Sequence, residues 1–301
     1  MEITLNPLPP FDFSLSSQIF SEGDGRIQKY EGKIYSRAIR LGERLAHIKV
    51  RSLGTTDAPL LSADLESDKA FSSRDVLLAE SSIQRIFNLE LNLLPFYAAA
   101  KGDRIMGRLT HLLRGLKYPS TATAFEALID SIIEQQISLK AAWSMQRRLI
   151  ETFGDALILG DRTLLIFPQA KRLAAAPIEQ LRRCGLSGRK AQYVRDVSQR
   201  VSAGLDLEAF RAYPDGEIVE ELCKIRGVGV WTAEMTMIRG MQKFDAMPAD
   251  DLGLRRIISH YYYDGKKIGG DEARRTAQDW MPWRGLASFY LIMAERQRIE
   301  I

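Results

Sequence analysis

The chain has 301 residues, is 46% hydrophobic and 27% charged, and at roughly 100–200 residues per domain has room for about two domains. Its 12 Phe, 10 Tyr and 4 Trp supply enough apolar surface for a buried core, which excludes disorder over most of its length. Two cysteines exclude a disulfide framework, a four-cysteine zinc site and a cysteine-ligated iron–sulfur cluster.

His47, His111 and His260 lie far apart in sequence and do not suggest a metal site. No uncharged apolar run approaches a membrane span, and the start Met1-Glu2-Ile3-Thr4 is acidic where a secretory signal is basic. These features predict a cytoplasmic chain with no membrane partner; a monomer without a cofactor is expected. The net charge of +4 is uneven: residues 1–90 hold 11 Lys and Arg against 13 Asp and Glu, so the remainder carries +6. That bias is compatible with a polyanionic partner.

Pro7, Pro9 and Pro10 keep the first ten residues out of a helix interior, and residues 14–20 read as a short helix. Alternating apolar and polar residues over 33–39 and 45–50 predict half-buried strands of an antiparallel sheet. From about Ser72 the period lengthens to near 3.6, with a stripe of Ile83, Ile86, Phe87 and Leu91. A helix is predicted over 124–133, and another follows Ser138 and ends at Gly154. Further helices are expected around 170–176, 188–203, 215–225, 230–239, 251–262, 271–280 and 286–298, with no strand between them. The fold class is therefore mainly α. An α+β domain with an antiparallel sheet is expected over 1–90, and a helical region of two subdomains over 91–301.

The segment Ile225-Arg226-Gly227-Val228-Gly229-Val230-Trp231-Thr232-Ala233 places two glycines around one apolar residue between two predicted helices. Such a turn leaves backbone N–H groups bare at a helix amino terminus, where the dipole favours an anion. One phosphate of a nucleic-acid backbone fits this chemistry, and such a contact positions the protein without reading sequence. A plain helix–turn–helix linker is the alternative. Arg189 and Lys190 at another predicted helix start oppose the dipole unless an anion sits nearby.

With Leu222 before it and Thr232-Ala233 after it, this segment resembles the helix-hairpin-helix of base-excision DNA glycosylases, here over 217–240. Arg226 stands where family members usually have proline. The resemblance, which covers about 120–296 well, continues in Met247-Pro248-Ala249-Asp250-Asp251-Leu252, similar to the catalytic loop of the AlkA-type 3-methyladenine DNA glycosylases. It implies that Asp251 is the catalytic carboxylate. Either aspartate also suits a helix cap, and that role is expected of Asp250.

Phe125 to Ser138 resembles the segment that inserts a side chain into the duplex, with Gln136 at the inserting position; an ordinary polar residue at a helix end reads the same way. Trp280-Met281-Pro282-Trp283-Arg284 and the following helix resemble the final helix of AlkA-type proteins. The resemblance implies a base pocket formed by Trp231, Met235, Leu252, Ile292 and Phe20, although Met235, Leu252 and Ile292 read more readily as core residues. It assigns DNA contacts to Arg226, Gly227, Val228, Gly229, Thr232, Gln136, Arg189 and Lys190.

Family members that also cut the backbone carry a hairpin lysine that forms a Schiff base. Trp231 stands at that position, which implies a monofunctional hydrolase acting on alkylated bases in double-stranded DNA, 3-methyladenine-like and open to 1-methyladenine or hypoxanthine. A noncatalytic helix-hairpin-helix DNA-binding protein and an oxidised-purine glycosylase are the competing readings.

Overall fold

A computed structural model describes residues 1–301. The first 90 residues build an antiparallel sheet from β1 (Glu2–Leu5), β2 (Gln28–Glu31), β3 (Ile34–Leu41), β4 (Arg44–Ser52) and β5 (Leu61–Glu66), in the order β1-β5-β4-β3-β2. The turn Gly32-Lys33 joins β2 to β3 with both residues at positive φ, +57° and +65°, the two-residue geometry that matches strand twist. The short helix α1 (Phe13–Ser17) is capped by Asp12, whose carboxylate accepts the Leu15 N–H. Across the sheet lies α2 (Ser73–Phe87), started by a reciprocal Ser72–Asp75 capping box. Its Ala79, Ile83, Ile86 and Phe87 share a core of 18 buried residues with Tyr35, Ile48 and Leu61. Leu91 lies beyond the helix, which ends at the left-handed Asn88.

The rest of the chain packs α3 (Leu94–Ala100), α4 (Arg104–Leu112), α5 (Ala124–Glu134), α6 (Leu139–Phe153), α7 (Ala170–Ala174), α8 (Ile178–Arg183), α9 (Gly188–Ser202), α10 (Asp215–Cys223), α11 (Val230–Met241), α12 (Leu252–Tyr262), α13 (Gly270–Thr276) and α14 (Arg284–Arg296) around a second core of 51 buried residues. α5 is its axis: every residue from Ala124 to Ile133 except Phe125 is buried, so the helix is wrapped on all sides. No helix is long and apolar enough to cross a membrane.

The all-helical expectation beyond residue 90 fails at one place. β6 (Asp155–Leu159) and β7 (Arg162–Ile166) form a hairpin closed by Gly160-Asp161, with Gly160 at φ +60°. Its strands are only five residues long, too short for a clear period. What stabilises them is tertiary: Leu157, Leu164 and Ile166 pack with Ala38 of β3 in a small core of their own.

Two buried cations tie the sheet to the helices. Arg37 of β3 reaches both oxygens of Glu126 in the first turn of α5, each at 2.6 Å, with both side chains almost wholly out of water. Lys117 donates to the carbonyls of Leu8 and Leu89 at 2.8 and 2.7 Å and lies over the Phe11 ring. Burial pushes its amine down to about 7.

Candidate active site

The hairpin between α10 and α11 is held by what it buries. Ile225 and Val228 point into the core, while Arg226, Gly229 and Val230 remain exposed. Its two glycines serve different purposes. Gly227 has φ +89°, and a Cβ there would lie 2.2 Å from the Tyr193 ring of α9, so both backbone and packing demand glycine. Gly229 is extended (φ −100°, ψ 178°) and a Cβ on it would meet open space. It is the N-cap of α11 and supplies no capping side chain. The first helical bond runs from the Ala233 N–H to the Gly229 carbonyl at 2.9 Å. The N–H groups of Gly229, Val230, Trp231 and Thr232 find no acceptor in the chain. Four bare donors at a dipole's positive end can hold one anionic oxygen cluster.

Thr232 offers that cluster only its backbone. Its side chain is 2% exposed, and the hydroxyl accepts from Gln135 Nε2 at 3.0 Å, because α5 closes over it. Lys190 also departs from its expected role. Its ammonium turns inward onto the carbonyls of Ile133 and Gln135 at 2.7 and 2.6 Å, since the carboxyl end of α5 presents acceptors within reach. Ser187 caps α9 at the Lys190 N–H, and Arg189 beside it stays exposed.

The loop before α12 runs over buried Ala246, Met247 and Ala249 and is anchored where Arg284 grips Asp245 through two hydrogen bonds at 2.9 and 2.8 Å. It delivers Asp251 as the N-cap of α12. Asp251 Oδ1 accepts the Leu254 N–H at 2.8 Å, and Oδ2 accepts the Trp231 indole N–H at 3.2 Å. The cap expected of Asp250 therefore falls to Asp251, because α12 begins at Leu252 and the capping position is the residue before it. Asp250 is exposed, abuts Gly270 and lies 3.8 Å from Arg274. Asp251 thus has one oxygen committed to the helix and the other turned to Trp231.

Around this pair, Met235 lies one turn beyond Trp231 on α11 and is 8% exposed. Leu252, at 75%, and Ile292, at 36%, are exposed on α12 and α14, which pack against each other. Phe20 is not part of the group. Its ring packs on Tyr35 at 4.8 Å in the sheet core, and Ile19 takes the side facing the helices. Trp280 is buried and donates to Asp103, while Trp283 packs near Phe96. Gln136 is exposed and held at φ +55°, just past the end of α5.

Three contributors escaped the sequence reading. Gln135 bonds to the Gly227 carbonyl at 2.8 Å as well as to Thr232, tying α5 to the hairpin. Tyr193 backs Gly227, and nothing local in the sequence signals that contact. Glu234, buried on α11, pairs with Arg274 at 3.0 Å, and burial raises its carboxyl. A lone carboxylate in the otherwise neutral run Thr232 to Ile238 was the available signal.

A family model described as HhH-GPD superfamily base excision DNA repair protein matches residues 129–282. The chain belongs to this superfamily. It is 30% identical over 210 residues to a DNA-3-methyladenine glycosylase of Bacillus subtilis (strain 168), covering 69% of each chain. It is 26% identical over 298 residues to DNA-3-methyladenine glycosylase 2 of Escherichia coli (strain K12), covering 97% of each. The solved 3-methyladenine DNA-glycosylase from Archaeoglobus fulgidus shares this fold of the superfamily, with a TM-score of 0.85, 24% identity and 98% of both chains covered.

Proposed function

We propose that this superfamily member is a monofunctional DNA glycosylase that extrudes alkylated, 3-methyladenine-like bases from double-stranded DNA and hydrolyses the N-glycosidic bond, with Asp251 as its catalytic carboxylate. The observation that carries the reading is the Trp231–Asp251 contact at 3.2 Å. It sets the edge of an aromatic ring, whose face stays free for stacking, beside a carboxylate whose second oxygen is fixed by Leu254. Departure of the base leaves an oxocarbenium-like sugar, which a fixed carboxylate stabilises while orienting the attacking water. The Trp231 face suits an electron-poor, positively charged alkylated base.

An indole carries no amine, so Trp231 has no Schiff-base route to strand cleavage. The bare N–H groups ahead of α11 clamp one backbone phosphate, with exposed Arg226 and Arg189 adding charge nearby, and Gln136 fills the space left in the duplex. Met235, Leu252 and Ile292 complete a pocket less aromatic than the AlkA pattern. The two cores correspond to an α+β domain over 1–90 and a helical glycosylase region over 91–301, acting as a monomer. A panel of duplexes, each with one modified base, tests the whole reading. Base release is expected for alkylated purines, with strand breaks only after alkali and no borohydride-trapped adduct. Release confined to oxidised purines, or breaks without alkali, overturns it.

A further inference from the structure

Lys190 is a half-buried cation at a helix start whose ammonium is turned inward. Its Nζ donates to the carbonyls of Ile133 and Gln135, the last acceptors of α5. Such carbonyls have no partner within their own helix. Between and beyond them the chain turns sharply: Gln135 leaves the helix at φ −49°, ψ 122°, and Gln136 follows in the left-handed region at φ +55°. That conformation is unfavourable for a residue with a side chain, so surrounding bonds must impose it. A long backbone bond from the Ile137 N–H to the Glu134 carbonyl, at 3.4 Å, closes the turn, and side chains brace it from both sides: Lys190 on one, Gln135 bonded to Gly227 and Thr232 on the other.

We infer that Lys190 is a positioning residue for base extrusion: by seating its ammonium on Ile133 and Gln135 it fixes Gln136 in its outward, left-handed pose, and Gln135 locks that pose to the phosphate-binding hairpin. This rests on the reading of Gln136 as the side chain that enters the duplex. The consequence is that the duplex is gripped and wedged by one rigid unit made of α5, α9 and the hairpin. Losing the Lys190 donors frees the turn from one of the two side chains that brace its backbone. Misplacing a working group by about 1 Å can cost on the order of a hundredfold in rate, and a loosened loop is expected to lose at least about tenfold of that.

The test is a cycle of K190M, Q136A and the double variant in the full-length protein. It reads single-turnover base release and the salt dependence of binding to an undamaged duplex. Q136A is expected to slow release; if it does not, the reading of Gln136 itself fails, whatever K190M does. Given that loss, K190M is expected to slow release about tenfold alone but less than about twofold in the Q136A background, as for residues acting through one another. Its salt slope is expected to match the parent.

Additive losses, or no loss with K190M, overturn the inference. So does a slope smaller by about 0.9, the mark of one lost phosphate contact. Circular dichroism controls for folding. Should K190M fail that control, Q135A, which removes the other bracing side chain, is carried through the same cycle against Q136A with the same outcomes deciding.

Discussion

The hairpin and the Asp251 loop sit at opposite ends of the Trp231 side chain, and they achieve their effects by opposite means. The hairpin works by absence: Gly229 offers no side chain, and four N–H groups stay unpaired because nothing in the chain caps them. The loop works by saturation: both oxygens of Asp251 already hold a hydrogen bond, so the carboxylate has one orientation. A grip made of backbone suits a partner that repeats the same phosphate along its length. A fixed carboxylate suits a single atom, the sugar carbon at which charge develops. Trp231 belongs to both, since its backbone N–H is one of the four bare donors and its indole N–H donates to Asp251.

The sharpest way to break this division is Asp251→Asn. Asparagine caps a helix as well as aspartate does, so the fold is expected to persist. It cannot serve both partners, however. If its oxygen accepts from Leu254, its amide faces the indole N–H donor to donor. Base release is expected to fall on the order of a thousandfold, with affinity for an abasic-analogue duplex within about twofold of the parent as the hairpin is untouched. Single-turnover release and a binding titration read the two halves separately, and a parallel loss of affinity would erase the distinction.

Next in size is Gly229→Val. The added side chain meets open space, so folding is expected to hold while the branched group stands between the bare N–H groups and a phosphate. Damaged and undamaged duplexes are expected to lose affinity equally, by about tenfold (about 1.4 kcal/mol). Diffuse attraction to a basic surface would leave both unchanged. The neighbouring Gly227→Val is a contrasting control. It collides with Tyr193 and strains a positive φ, so its effect is expected first in thermal stability.

The smallest effect is expected for Asp250→Asn. Asp250 is exposed and 3.8 Å from Arg274, an ion pair of the kind worth under about 1 kcal/mol. Release is expected to stay within about threefold of the parent, equal to roughly 0.65 kcal/mol. A dead Asp250→Asn beside an active Asp251→Asn would exchange the two roles.

Much of this was legible in the sequence. The hairpin announces itself because the glycines that free its backbone are local, and the helices α5, α6 and α9 because their apolar stripes are long. The choice between Asp250 and Asp251 for the cap was not legible, since it turns on where α12 begins, a matter of one residue. Nor were the inward turn of Lys190 or the β6–β7 hairpin. Each is decided by a distant partner, the end of α5 in one case and Ala38 in the other. Charge patterning reads a lysine as solvent-facing by default, and only the fold reveals acceptors beneath it.

α5 carries paired side chains at both ends, Glu126 to Arg37 of the sheet in its first turn and Glu134 to Arg239 of α11 in its last. Prising a base from its stack meets resistance, and on the proposed reading that resistance falls on Gln136. The eight-residue step from Glu126 to Glu134 spans about 12 Å along the helix axis, a stiff strut with footings at either end. Load taken at the tip passes down this strut into the β-sheet, whose core includes no residue of the hairpin and not Asp251. The sheet is in that sense the abutment against which the wedge is driven.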